Sequence, residues 1–505
     1  MTFNLATWFV DRHLEEGRGD RIALIAGDRP VTYAELAALV NRAGHVLRDL
    51  GVRQEERVLL ALSDGVEFVA TWYAAQKIGA VTAEVYTFLP AKDLAYYLQY
   101  TRAGVVVVDA TTLERAREAR AASPWLRALL VVGAGDLRGG EHSFDALVEQ
   151  APAALDPAPT DPDDIAIWKF TTGSTGMPKA CVHRAITPLR SFEHYARGVL
   201  DVGENDLVLP VPKLFFGYAR DLAALYPFGV GAAGIVFPER ATPERLFDLI
   251  VRHRPTILVN VPTMMRAMLE QPENDLSCLR LCTSAGEALP EELHRRWLDT
   301  FGVEVLDGIG SSEAYHIYIS NRPGAARPGT LGQAVPGYTA RVVDEEGREL
   351  PDGETGRLWV EGDTAALMYW QAREKSLETF SGDTVRTGDL LVRNADGYFA
   401  YRGRADDLLK VGGIWVAPQE IEQCLAAHPD VAECAVVGYE EDGLQKPRAF
   451  VVLRDGATVD AEALQAHVKA TLSPHKYPRD VRFVAELPRT GSGKVDRRAL
   501  REVLV

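Results

Sequence analysis

Short apolar runs rich in β-branched residues recur along this chain, alternating with stretches whose apolar positions repeat every three or four residues. The runs include RVLLAL (57–62), AVTAEV (80–85), GVVVVDA (104–110), RALLVVG (127–133) and TILVNVP (256–262). They are predominantly apolar and do not alternate regularly apolar with polar, which predicts strands covered on both faces. VEFVATWYAAQKIG (66–79) and DLAYYLQYT (93–101) carry helical spacing. Strands of this kind alternating with helices predict layered α/β architecture with largely parallel sheet. No internal repeat or low-complexity tract interrupts the pattern.

The texture changes at two places. APAALDPAPTDPDD (151–164) is rich in Pro and Asp and reads as a surface connection before the strand IAIWKF (165–170). Near residue 340, ARVVDEEGREL and GRLWVEG read as short strands joined by turns, a small antiparallel subdomain. After YFAYRGRADD (398–407) comes a smaller α/β pattern: a helix from Pro418 to Ala427, strands CAVVGYE and RAFVVLR, and a helix from Asp460 to Leu472. The expectation is a large N-terminal domain of residues 1–403 and a small C-terminal α/β domain of residues 404–505, divided at about Arg404 to Asp407.

Composition narrows the function classes. A chain of 505 residues exceeds one compact core, so two or three domains are expected. The net charge of −16, from 55 basic and 71 acidic side chains, argues against nucleic acid or an anionic membrane as partner. Five cysteines, Cys181, Cys278, Cys282, Cys424 and Cys434, form no C-x-x-C pair and suit a reducing compartment. The start, MTFNLATWFVDRHLEEGRGDR, is too charged for a signal peptide, and the weakly polar stretch Tyr226 to Phe237 is too short to span a bilayer. A cytoplasmic protein is expected.

The strongest local signal is TTGSTGMPK, Thr171 to Lys179, directly after a predicted strand. Hydroxyls, glycines and a lysine in a tight turn offer many N–H and O–H donors to a phosphate chain, and glycine lets backbone approach the ligand closely. The string satisfies neither the Walker A pattern nor the G-x-S-x-G nucleophile elbow. On these residues alone an ordinary Gly/Ser/Thr turn stays open.

The string resembles the phosphate loop of the adenylate-forming superfamily, which includes acyl-CoA synthetases, peptide-synthetase adenylation domains and luciferases. Further elements occur in that family's order: TSAGEALP (283–290), DGIGSSE (307–313), RTGDL (386–390), YRGRADDLLKVGG (401–413) and PRTGSGK (488–494). KLFFGY (213–218), DGIGSSEAYHIYISNRPG (307–324), VPGY (335–338) and LSPHKYPR (472–479) resemble the benzoate-CoA ligases in particular. The resemblance implies ATP, Mg2+ and coenzyme A as small-molecule partners of a carboxylic acid. It implies that Thr171, Thr172, Gly173, Ser174, Thr175, Gly176 and Lys179 cradle phosphates, that Glu313 holds Mg2+, and that Ser312 meets the α-phosphate. Gly286, Glu287, Ala288, Asp307, Gly308, Ile309 and Gly310 would wall the adenine, with Asp389 on the ribose and Arg404 on ribose or phosphate. Lys494 would bridge the attacking carboxylate and the α-phosphate. Asp406 matches the family's hinge, about which the small domain would move. Lys410, Gly412, Gly413 and Trp415 would line the thiol channel.

By the same resemblance the acid pocket comprises Phe216, Gly217, Tyr218, Ser284, Ala285 and His316, together with Gly308 and Ile309. His316 follows Glu313 by three residues, the same side if that segment is helical. Three departures from the family pattern bear on the acid: Lys169 in an otherwise apolar strand, Cys181 after the loop, and Arg220 beside the pocket. Arg220 is expected to point outward as a surface charge; pointing inward, it would pair with a second anionic group on the substrate. Amino- and hydroxybenzoates join benzoate as candidate acids. A carrier-protein thiol in place of CoA, another acyl acceptor, a non-catalytic nucleotide-binding relative and a homodimer are the alternatives left open.

Overall fold

The apolar runs of the first third lie side by side in one sheet. In the computed structural model, which describes residues 2–133, 135–172, 177–411, 414–441, 444–473, 476–490 and 495–502, Val81–Glu84, Arg57–Ala61, Val105–Val108 and Ala128–Val131 pair in parallel in that order. All four valines of Val105–Val108 are buried, so the run has no polar alternation because neither of its faces meets water. Ile165–Thr172 extends the sheet in parallel beside Val81–Glu84, and Pro178–Arg184 folds back antiparallel on it.

A second large sheet has a parallel centre: Val305–Gly310, Leu281–Ser284, Ile257–Asn260, Leu207–Pro210, Ala233–Val236 and Ile22–Ala26. At one end Ile317–Ser320 turns back antiparallel on Val305–Gly310, with a register shift between Ile309 and Gly310. One apolar cluster joins elements of both sheets, and the helix Val66–Lys77 runs through it. Every residue of that helix except Glu67 is buried, Thr71, Gln76 and Lys77 included.

Downstream, Thr339–Val343, Thr355–Glu361, Thr384–Arg393 and Phe399–Arg404 form the antiparallel piece, with Asp389 directly opposite Arg404. From residue 409 the chain builds separate cores. Val431–Glu441, Leu444–Leu453 and Asp480–Phe483 make a small sheet, and the helices Pro418–Ala426 and Ala461–Thr471 cover it around Leu425, Val451, Leu464 and Val468. This is the layered α/β architecture that the apolar runs predict, with its antiparallel subdomain and small C-terminal α/β unit. Among the described residues no helix is long and apolar enough to cross a membrane.

Local chemistry sets the helix starts. Thr32 caps the helix Tyr33–Asp49: its hydroxyl accepts from the Glu35 N–H at 3.1 Å, and the Glu35 carboxylate accepts from the Thr32 N–H at 2.8 Å. That helix buries Leu36, Val40 and Leu47 against the shared core. Thr32→Ala is expected to cost about 1 kcal/mol of unfolding free energy, seen as a lower urea midpoint; an unchanged midpoint would count against the cap as the start signal.

Candidate active site

The glycine-rich string lies between the antiparallel strands Ile165–Thr172 and Pro178–Arg184, where Thr171 sits opposite Lys179. Gly173, Ser174, Thr175 and Gly176 lie outside the described residues, as does the Thr172 side chain. Both strands are tied to the turn that follows Val305–Gly310. The Ser312 hydroxyl donates to the Phe170 carbonyl at 3.3 Å, and His183 Nε2 lies 2.7 Å from the Ser312 carbonyl. Tyr369, on a short strand beside Pro178–Arg184, donates its hydroxyl to Glu313 Oε1 at 2.7 Å. The Lys179 ammonium lies 5.8 Å from the same tyrosine ring. Glu313 and Lys179 therefore converge across Tyr369, a carboxylate and an ammonium at the mouth of the hairpin.

Gly286 to Ala288 and Asp307 to Gly310 lie at the carboxyl ends of neighbouring parallel strands, where ligands bind in open α/β sheets, whereas Asp389 and Arg404 lie on the antiparallel piece. Ser284 pairs with Asp307 across Leu281–Ser284 and Val305–Gly310, which brings Ala285 to Ala288 beside Gly308 to Gly310. Gly286 has φ of +87°, a turn conformation that L side chains rarely adopt. The Glu287 carboxylate accepts from the Thr263 hydroxyl at 2.6 Å and N–H at 3.1 Å, so it fixes the loop to the start of the preceding helix, Pro262–Met268. At Gly308 and Gly310 an added Cβ would meet the carbonyls of Ile319 at 2.8 Å and His316 at 2.4 Å, so both are glycine because another strand lies against them. Asp389 accepts from Arg404 Nη1 at 3.3 Å and from the Tyr401 hydroxyl at 3.4 Å. Asp406 lies in the short 3-10 turn Ala405–Asp407, 3.8 Å from Arg404 Nη2.

Among the acid-pocket candidates, His316 meets Tyr218 directly. Its ring packs against those of Tyr226, Tyr195 and Tyr218, with centroids 5.1, 5.4 and 5.7 Å away. Its Nε2 lies 3.3 Å from the Tyr218 carbonyl. Tyr218 Oη is 2.7 Å from Thr283 Oγ1, and the start of the segment is held where the Leu214 N–H donates to Asp64 at 3.0 Å. The turn from Glu313 to His316 is not helical, and Tyr315 within it has φ of +72°. Burial, then the positive charge of Lys169, lowers the His316 pKa to about 3, so its imidazole is neutral at pH 7. His316 Nδ1 is buried without a hydrogen-bond partner among the described residues, and the Ser284 hydroxyl lies by the buried Asp307 carboxyl, whose pKa it lowers against the larger raising effect of burial.

The expected outward pose of Arg220 is wrong. Its side chain is buried, with Nη1 2.9 Å from Glu84 and Nη2 2.8 Å from Asp221. Lys169 is buried beside it, its ammonium 2.5 Å from Asp221 Oδ2; burial lowers its pKa to about 8 even though Asp221 opposes the shift. Cys181 is buried, and its thiol is pushed far above its ordinary pKa by burial, so it offers no thiolate. Glu84, Asp221 and Tyr369 are central here and carry no motif of their own; the signal that points to Asp221 and Glu84 is the lysine in an apolar strand. Lys410 and Trp415 face each other across Leu409–Val411 and Ile414–Val416, but their side chains, Gly412, Gly413 and Lys494 lie outside the described residues.

Comparison with known proteins fits this geometry. Residues 10–370 match the AMP-binding enzyme family and residues 420–494 match the AMP-binding enzyme C-terminal domain. The chain is 43% identical over 510 residues to a benzoate–CoA ligase of Thauera aromatica, covering 99% of this chain and 96% of that one. Among solved structures it is similar to the anthranilate CoA ligase AuaEII in complex with anthranoyl-AMP (TM-score 0.94, 37% identity, covering 99% and 97% of the two chains). It is also similar to a benzoate CoA ligase from Burkholderia xenovorans LB400 (TM-score 0.91, 40% identity, covering 99% and 100%).

The buried histidine has a measurable consequence. Its folded pKa lies below its unfolded value, so as pH falls from 6.5 towards 3 the unfolded chain takes up a proton that the folded chain refuses. His316 therefore costs stability as pH falls through that window. Between pH 6 and 4 the unfolding free energy of the wild type should fall relative to His316→Gln by up to about 1.4 kcal/mol per pH unit. Parallel urea curves for the two proteins at each pH would show that imidazole to be accessible and ordinary.

Proposed function

We propose, from the premise that this chain belongs to the AMP-binding enzyme family, that it is an aryl acid–CoA ligase. It joins the carboxylate of a benzoate-like acid to the α-phosphate of ATP with loss of pyrophosphate. It then passes the acyl group to the thiol of coenzyme A with loss of AMP. The observation that carries this reading is the turn Ser312–His316, where Glu313 meets the phosphate hairpin through Tyr369 and His316 enters the aromatic pocket. One turn thus stands between the two reactants.

Both reactants of the first step are anions, so the site must neutralise charge and hold the attacking oxygen in line with the scissile P–O bond. Thr171 to Gly176 and Lys179 are the proposed donors to the β- and γ-phosphates, Ser312 to the α-phosphate, and Lys494 to the oxygens that react. Asp389 and Arg404 are assigned to ribose and phosphate, and Gly286 to Ala288 with Asp307 to Gly310 to the adenine. Glu313 suits Mg2+: Tyr369 steadies one oxygen, and a hard cation takes one carboxylate together with phosphate oxygens and water. When bound, the ion would offset phosphate charge.

The pocket chemistry supports an aromatic monocarboxylic acid. Phe216, Tyr218, Ala285 and the neutral His316 offer rings and apolar surface, the usual lining of a small-ligand site. Lys169 and Arg220 behind it are already paired with Asp221 and Glu84, so neither is available to a second carboxylate. His316 Nδ1 would be satisfied by a ring hydroxyl or amino group, which favours benzoates bearing one.

For the second step, residues 404–505 are proposed to turn about Asp406, withdrawing Lys494 and bringing Lys410, Gly412, Gly413 and Trp415 to a thiol channel. The enzyme is assigned to the cytoplasm, where its nucleotide and CoA substrates are found.

Acid-dependent ATP–pyrophosphate exchange is expected with benzoate and with amino- or hydroxybenzoates, and only weakly with straight-chain acids. A preference for aliphatic acids would defeat the aromatic assignment. Lys494→Ala should lower exchange by at least about 100-fold while thioester formation from supplied benzoyl-adenylate persists; equal loss of both would remove Lys494 from the first step. Asp406→Pro should spare exchange and suppress thioester formation, and normal thioester turnover would refute the hinge.

A further inference from the structure

We propose that the buried quartet Glu84, Lys169, Arg220 and Asp221 positions the turn carrying Glu313 and His316, with Lys169 as the contact that transmits its geometry. The proposal rests on the adenylation reading above and adds residues that the motifs do not mark.

All four side chains are almost completely inaccessible, the most exposed at 5%. They form a closed neutral set. Arg220 bridges Glu84 at 2.9 Å and Asp221 at 2.8 Å, and Lys169 reaches the other Asp221 oxygen at 2.5 Å. Trp72 Nε1 donates to Glu84 at 2.5 Å. The quartet links three pieces of the site: Val81–Glu84, the strand leading into the phosphate hairpin, and the helix Gly217–Ala224 that begins at the acid pocket.

Its outlet is Tyr315. The Lys169 ammonium donates to the Tyr315 carbonyl at 2.7 Å and lies 3.4 Å from the centroid of the Tyr315 ring. The Tyr315 hydroxyl donates to Asp221 Oδ1 at 3.3 Å. Tyr315 has φ of +72°, a left-handed conformation that a bulky L residue holds only when its surroundings impose it. Here the carbonyl, the ring and the hydroxyl are all gripped by the same ion pair. Tyr315 lies between Glu313 and His316 in the chain, so its backbone angles set where the carboxylate and the imidazole point.

Gly217 supplies an independent sign that the ammonium belongs where it is. A Cβ at that residue would lie 2.7 Å from Lys169 Nζ and 2.8 Å from its Cε. The glycine carries no positive φ to explain it; it is the gap through which Lys169 reaches Tyr315. A methyl group there would push on the lysine. Buried ion pairs are seldom more stable than well-packed apolar residues of similar size, which suits a role in orientation over one in stability.

The test is a kinetic cycle with benzoate. Lys169→Met/Asp221→Asn removes one charge of each sign, leaves Arg220 and Glu84 paired, and keeps the site neutral. Exchange kcat is expected to fall at least about tenfold with little change in the KM for ATP, while thioester formation from supplied benzoyl-adenylate stays near wild type. Gly217→Ala should lower exchange similarly in the wild-type background and by a clearly smaller factor in a Lys169→Met background. An active wild type with an unchanged double variant, or strictly additive Gly217 and Lys169 effects, would overturn the positioning role alone. Parallel loss of both half-reactions with a falling Tm would reduce the quartet to a structural role and also overturn it. Absence of exchange in the wild type would defeat the functional reading first, and this proposal with it.

Discussion

A buried charge must find a partner, and in this protein that requirement falls where the site's pieces meet. Glu84 ends one strand and Lys169 lies within the parallel strand beside it, and Arg220 and Asp221 reach them from the helix Gly217–Ala224. None of the four can face water without dissolving the contacts between these elements, and none can remain inside unpaired. Two cations and two carboxylates in close contact are therefore a demand on relative position. Apolar packing tolerates small slips of one layer over another, whereas ion pairs of 2.5 to 2.9 Å do not.

The same geometry explains why the candidate groups cluster as they do. In each large sheet, parallel strands end together, and the loops that leave those ends are free to carry chemistry. The glycine-rich hairpin leaves one sheet, and the segments Ser284 to Ala288 and Gly308 to His316 leave the other. Gly308 and Gly310 let the returning strand Ile317–Ser320 press close, so the turn between them is short and sharply directed. A short turn has few ways to point its side chains, which suits a place between two anions that must meet in line.

Much of this was legible in the sequence because the interactions concerned are local or periodic. Four valines in a row announce a strand covered on both faces, and the change of texture near residue 340 announces antiparallel pairing. The glycine-rich string after a strand announces a tight turn, and the fold adds the strand that sets Lys179 opposite Thr171. What was not legible depends on contacts between distant segments. Arg220 looked like a surface charge because its partner Glu84 lies far upstream and carries no motif. The possible helical reading of Glu313 to His316 failed because spacing says nothing about a left-handed Tyr315, which a lysine on another strand imposes. The oddity of Lys169 in an apolar strand was visible, but its meaning needed the fold.

The small C-terminal unit completes the argument. Residues from 409 onward bury their own apolar residues, with Val436 and Leu464 in one cluster and Val437 and Phe450 in another. A unit with its own cores can change its pose without losing its internal structure, and a reaction of two unlike steps needs that freedom. The first step calls for positive charge at the α-phosphate; the second calls for an open path by which a thiol reaches the acyl carbonyl. A fixed ammonium such as that proposed for Lys494 would serve the first and obstruct the second. The rigid part of the site, locked by its buried ion pairs, can then hold the acyl-adenylate still while the proposed hinge at Asp406 exchanges one set of groups for the other. Rigidity on one side of the intermediate and mobility on the other are two halves of the same requirement.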